Sequence, residues 1–223
     1  MKIIGVRERI ERWAEHSRLN PLRLLRMPHP QLSEDDKAAF DGLLDKTATG
    51  AEIAYDLKQP KWWFLHRAAQ RGLVLHGTNE LALPSLRTRA TGDAFDAPVT
   101  ACFASDDAIW PLYFATVNRR TLMHGYINWA MHVRNESRYL FSIGGDPRDD
   151  ASWSAGAVYL LPADTFRRTR DTRELVSDDP VKPRAWLRVE PDDFPFRAQT
   201  MAHAKGESPN RVTIRHALRP TLR

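Results

Sequence analysis

The feature that most constrains this chain is a change of hydrophobic pattern at Gly72. Before it, apolar residues recur at helical spacing between breakers. After it, they come in short runs cut by Gly, Pro and Asp, as strands joined by turns do. Strands then follow one another without a regular strand-helix alternation. That order argues against a parallel doubly wound sheet and for an α+β protein.

In the helical part, residues 6–16 place Val6, Ile10 and Trp13 on one face, and Asn20-Pro21 ends the run. Ser33 is suited to cap a second helix, with Glu34, Asp35 and Asp36 at the positive end of its dipole and Ala39, Phe40, Leu43 and Leu44 as its apolar side. Pro60 opens a third over 61–71 and Gly72 closes it, and Trp62, Trp63, Leu65 and His66 make it amphipathic. Beyond Gly72, strands are predicted at 72–76, 99–104, 124–133, 139–143, 157–161, 174–177 and 184–189. A helix over 108–117 is opened by Ser105-Asp106-Asp107 with Pro111 in its first turn, and 162–166 reads as a turn into a brief helix. Three parts follow: an N-terminal helical segment (1–72), a β-rich domain (73–205) and a basic C-terminal tail (206–223).

Composition narrows the classes. Of 223 residues, 42% are hydrophobic and 27% charged, a folded-domain balance. The longest strongly apolar uncharged run, 108–118, is too short to span a bilayer, and charges from Arg7 onward break any leader-like stretch, so neither a membrane span nor a secretory signal is expected. The lone Cys102 excludes an internal disulfide and fits a reducing, cytoplasmic compartment. His124 and His132 on one extended strand would stand about 26 Å apart, too far to share a metal ion, and no metal is expected.

The net charge of +5 sits at the ends, with +3 over 1–72 and +4 over 211–223. Arg211, Arg215, Arg219 and Arg223 recur every fourth residue, which reads either as a solvated tail or as one helical face turned to phosphates, with Pro220 as an interruption. No internal repeat, dinucleotide-binding glycine fingerprint or phosphate-loop sequence is present.

Three segments of the β-rich part carry candidate chemistry. Leu75-His76-Gly77-Thr78 ends a strand and offers a directional ring nitrogen, a backbone a ligand can approach and a hydroxyl; it also reads as a plain strand-end turn. Cys102-Phe103-Ala104-Ser105 runs into a helix bearing Tyr113, a ring able to wall a flat pocket or to fill a core. Glu174 opens a short strand ahead of Val181-Lys182-Pro183-Arg184, with Asp178, Asp179 and Glu190 as neighbouring acids.

Taken in order, these segments resemble the diphtheria-toxin and poly(ADP-ribose)-polymerase branch of the ADP-ribosyltransferases, marked by a His, Tyr, Glu triad. The resemblance covers about residues 73–190, with Cys102 where the family's strand usually has tyrosine. It implies a split β-sandwich core and NAD as co-substrate. By the match, Glu174 stabilises the ribose cation and bonds the nicotinamide ribose, and His76 bonds the adenosine ribose. Gly77 holds the carboxamide, Thr78 adds a hydroxyl contact, and Tyr113 stacks on nicotinamide. Arg87 or Arg89, in the segment after the first motif, suits the pyrophosphate, or is simply an exposed loop arginine. The implied function is transfer of ADP-ribose to a macromolecular acceptor, protein or nucleic acid. The alternatives are a non-catalytic module of the same fold that binds NAD, ADP-ribose or nucleic acid, and an RNA 2′-phosphotransferase-like enzyme.

Overall fold

The computed structural model describes residues 23–92, 98–133, 136–168 and 174–218. In chain order the elements are β1 (Leu25–Pro28), α1 (Glu34–Lys46), α2 (Lys61–Gln70), β2 (Leu73–Thr78), β3 (Arg89–Gly92), β4 (Pro98–Ser105), α3 (Trp110–Thr116), β5 (Tyr126–Val133), β6 (Glu136–Ile143), β7 (Gly156–Pro162), β8 (Arg167–Arg168), β9 (Glu174–Ser177), β10 (Ala185–Val189), β11 (Met201–Ala202) and α4 (Pro209–Ala217). With four helices and two sheets, the described residues form an α+β protein. No helix among them is long and apolar enough to cross a membrane.

The chain divides into two compact units that do not follow the sequence boundaries at 72 and 205. The first takes its described residues from Met1–His29, Arg119–Ser152 and Phe196–Arg223, the second from Pro30–Asn118 and Trp153–Pro195. A linear reading of composition cannot see that the β5–β6 hairpin belongs with the two ends of the chain. The predicted helix over 6–16 lies outside the described residues.

The first unit is built on a four-stranded sheet in which β6 is flanked by β5 on one side and by β1 and β11 on the other. Leu24, Trp129, Leu140, Met201 and Val212 form its core cluster. Residues 206–218 of the expected C-terminal tail are a structural part of this unit, because α4 buries Val212, Thr213 and His216, whereas Arg219, Pro220 and Arg223 lie outside the described residues. Arg215 donates to the Glu207 carboxylate at 2.9 Å and to the Ala202 carbonyl at 2.8 Å, so it ties α4 to β11 and is not turned outward to phosphates.

The second unit carries a seven-stranded antiparallel sheet in the order β10-β7-β2-β4-β9-β8, with β3 also paired to β4. Helix α1 begins as its sequence predicts: the Ser33 side chain accepts from Asp36 N at 3.1 Å and Asp36 Oδ2 accepts from Ser33 N at 3.2 Å. Its far end is closed by Arg184, whose guanidinium donates to the Thr47 and Leu44 carbonyls at 2.7 and 3.2 Å. Those last carbonyls have no partner within the helix, so a distant arginine satisfies them. Helix α2 ends where Gly72 turns the chain at φ 81°. It buries Phe64, Leu65 and Ala68, leaving Trp62 and Trp63 at its margin.

Alternation along the strands gives this sheet two distinct faces. One holds Val74, Cys102, Ala104, Ala157, Tyr159, Leu161, Leu175 and Trp186, packed with Leu86 and Val181 from two covering loops. The Tyr159 hydroxyl pins one of these loops, accepting from Leu83 N and donating to the Glu80 carbonyl, both at 2.9 Å. The other face carries α3, which lies so close that only glycine fits beneath it at positions 77 and 156. The edge strand β10 is covered by main chain, with Ile53 N bonded to Trp186 O and Trp186 N to Ala51 O.

Four strands escape the sequence patterns. β1, β3, β8 and β11 span four residues or fewer and have too few alternations to register a period. The brief helix expected at 162–166 is instead a turn, closed by Phe166 N on the Ala163 carbonyl, that feeds β8.

Candidate functional site

The three motif segments, far apart in sequence, become three consecutive strands in the second unit. β2 carries His76-Gly77-Thr78, its neighbour β4 ends in Phe103-Ala104-Ser105, and β9, on the other side of β4, begins with Glu174. One row crosses the sheet: Leu160 stands opposite Leu75, Leu75 opposite Ser105, and Ser105 opposite Glu174.

β2 and β4 are in register only at Leu75 and Ser105. One residue farther on, the imidazole of His76 takes over, with Nδ1 2.6 Å from the Phe103 carbonyl oxygen. A carbonyl can only accept, so Nδ1 carries the hydrogen and a neutral ring presents Nε2 as an acceptor. That tautomer suits a hydroxyl donor such as a ribose hydroxyl. Gly77 contributes differently from its sequence reading, because its side-chain face is filled by α3: a Cβ there would lie 1.8 Å from the Pro111 carbonyl oxygen. Thr78 is 3% exposed, and its hydroxyl accepts from Glu80 N at 3.3 Å, so it shapes the turn after the strand.

Glu174 is half-buried at the start of β9. Among the neighbouring acids, exposed Asp178 is bonded to Arg167 at 2.9 Å and exposed Glu190 to Arg188 at 3.2 Å. Strand alternation places Glu174 with Leu75 and Ser105 on the α3 face, whereas His76 falls one residue out of that row. The two motif residues therefore stand two strands apart and address opposite sides of the sheet.

Tyr113 is where the structure departs most from the resemblance. It lies in α3 with 0% of its surface exposed, packed on Phe194 and Phe114 at centroid distances of 5.6 Å each. It is a core residue here, not a wall open to a ligand. Arg89 pairs with Glu80 at 3.0 Å on the surface, and Arg87 is exposed, so neither is drawn toward the motif row.

A residue the sequence reading passed over stands closer to that row. Ser105 Oγ accepts from Asp107 N at 3.1 Å, and Asp107 Oδ1 accepts from Ile109 N and Trp110 N at 2.9 and 2.8 Å. Asp107 thus starts α3 at Trp110, two residues later than predicted, and ties the Trp110 main chain to the strand end opposite Glu174. The sequence signal for this start is an acid three residues before Trp110.

Cys102 is 2% exposed, and burial pushes its thiol up to about 11. It is neutral at physiological pH and out of reach of solvent, which removes it as a nucleophile. We expect no labelling by a thiol reagent at pH 8 in the folded protein and complete labelling in denaturant. Rapid native labelling would show that the strand opens.

No family model, curated protein or solved structure matches the chain.

Proposed function

We propose that this protein transfers ADP-ribose from NAD to a macromolecular acceptor with release of nicotinamide. The observation that carries the reading is the juxtaposition of the His76, Ser105 and Glu174 strands side by side in one sheet, with Ser105 opposite both Leu75 and Glu174. His76, held through Nδ1 on Phe103 O, offers Nε2 to a hydroxyl. The Glu174 carboxylate offers negative charge beside the ribose carbon that becomes cationic, as in glycoside hydrolysis. In the transfer, the bond from nicotinamide to ribose C1′ breaks and its electron pair leaves on neutral nicotinamide. The acceptor's lone pair forms the new bond, and its proton passes to Glu174 and on to water.

A second reading, a non-catalytic module that binds NAD or ADP-ribose, is favoured by the burial of Tyr113 and by the offset of His76 from the Glu174 row. One experiment separates the two. Purified protein is incubated with NAD and a mixed protein and nucleic-acid acceptor pool, nicotinamide is quantified, and melting is followed with NAD and ADP-ribose. Transfer predicts released nicotinamide. A rise in Tm without release supports the binding module, and neither response defeats both.

A further inference from the structure

We infer that the first unit binds nucleic acid through its phosphates, which makes nucleic acid the acceptor class of the transfer reaction; the acceptor assignment rests on the NAD reading above, and the binding does not. The division of the chain carries it. The segments whose described residues form the first unit, 1–29, 119–152 and 196–223, hold 18 Lys and Arg against 8 Asp and Glu, a net +10. Those of the second unit, 30–118 and 153–195, hold 15 against 20, a net −5. The overall +5 is the remainder of two opposite charges, which cuts at 72 and 205 do not reveal. An excess this dense repels itself, and a polyanion relieves it. Of the 18 cations, 16 are arginine, whose fork matches phosphate oxygens.

The fold gathers part of this excess in one place. His216 Nε2, on α4, donates to the Arg23 carbonyl at 2.8 Å, and Leu24 shares a core cluster with Val212. Two runs from opposite ends of the chain, 1–29 and 211–223, each net +4, therefore meet in this unit. Arg211 on α4 and Lys205 ahead of it are exposed and in no ion pair among the described residues. Exposed Arg26 shares Glu136 with buried Arg138, at 3.5 and 2.9 Å, so one acid answers two cations.

The outer side of α4 also shows Ile214 and Leu218, 59% and 76% exposed. Two aliphatic side chains are too few to hold a bilayer. Phosphates repeated along a strand answer cations spread over several segments. Because both units are one chain, a strand held by the first is kept at raised concentration around the second.

The test follows the fluorescence anisotropy of short labelled RNA and DNA strands titrated with the full chain. Phosphatidylserine vesicles form a second arm, and melting curves confirm that each variant is folded. We expect binding that weakens about fiftyfold from about 50 to about 200 mM salt, the loss that about four phosphate contacts give. Reversing both charges in the variant Lys205→Glu, Arg211→Glu should weaken binding about tenfold at fixed low salt. Lys58→Glu, Lys182→Glu makes the same charge change at exposed positions of the second unit and should stay within about twofold of wild type. Binding to either strand in this pattern supports the inference. A chain that binds neither strand, binds vesicles but no strand, or loses as much from the second-unit variant as from the first-unit one overturns it. Nicotinamide release without strand binding defeats this inference alone, whereas strand binding without release defeats the NAD reading and leaves the binding unit standing.

Discussion

Replacing Glu174 by glutamine is expected to cut nicotinamide release by about a hundredfold or more while leaving NAD affinity near wild type. The substitution keeps the shape of the side chain and removes only its charge. In the bound donor the positive charge resides on the pyridinium ring; as the glycosidic bond stretches, it moves to the ribose carbon. A carboxylate placed there is worth more in the transition state than in the ground state, so its loss falls on kcat rather than KM. The amide fills the same volume at a half-buried strand end, so Tm should stay close to that of the wild type.

The neighbouring acids supply the control. Asp178→Asn and Glu190→Gln should leave turnover within about twofold of wild type, since both groups are exposed and paired to Arg167 and Arg188. Full activity in Glu174→Gln would sink the assigned mechanism. Collapse in Asp178→Asn alone would move the carboxylate four residues along the chain.

The parts of this protein legible in its sequence are those whose physics is local. The Ser33 cap, the Gly72 stop and the strand at 174–177 need only neighbours a few residues away. Non-local devices left no trace: Arg184 closes a helix that ended at Lys46, and the hairpin at 126–143 joins the two ends of the chain into one unit. The site was legible to the same extent. The His76 and Glu174 strands flank β4, a placement that the order of the motifs along the chain does not determine. Exposure does not follow from order. Whether Tyr113 or Trp110 faces outward depends on how α3 rolls on the sheet, and that roll is set by what lies beneath it.

What lies beneath it is a pair of glycines, and Gly77→Ala is expected to be the most destabilising small substitution in the second unit. A Cβ at Gly77 would stand 1.8 Å from the Pro111 carbonyl oxygen, 2.7 Å from its carbon and 3.0 Å from Ala115 N. All three are backbone atoms of α3, which cannot swing aside as a side-chain tip can. Gly156 on the adjacent strand β7 meets the same helix, with a Cβ 2.0 Å from the Ala115 carbonyl oxygen and 2.6 Å from that of Thr78. Admitting a methyl group means lifting α3 off β2 and β7, which exposes Leu112 and Tyr113, both now fully buried. We expect a loss of about 3 kcal/mol, seen as a fall in Tm of about 10 °C. Gly50→Ala serves as the contrast, because nothing lies within 4 Å of that position and its cost is confined to the backbone strain of φ 79°. If Gly77 were present chiefly to admit a ligand, its alanine variant would melt like the wild type and lose NAD binding alone. The packing under α3 requires the opposite order, with stability lost first and binding lost only as the helix lifts.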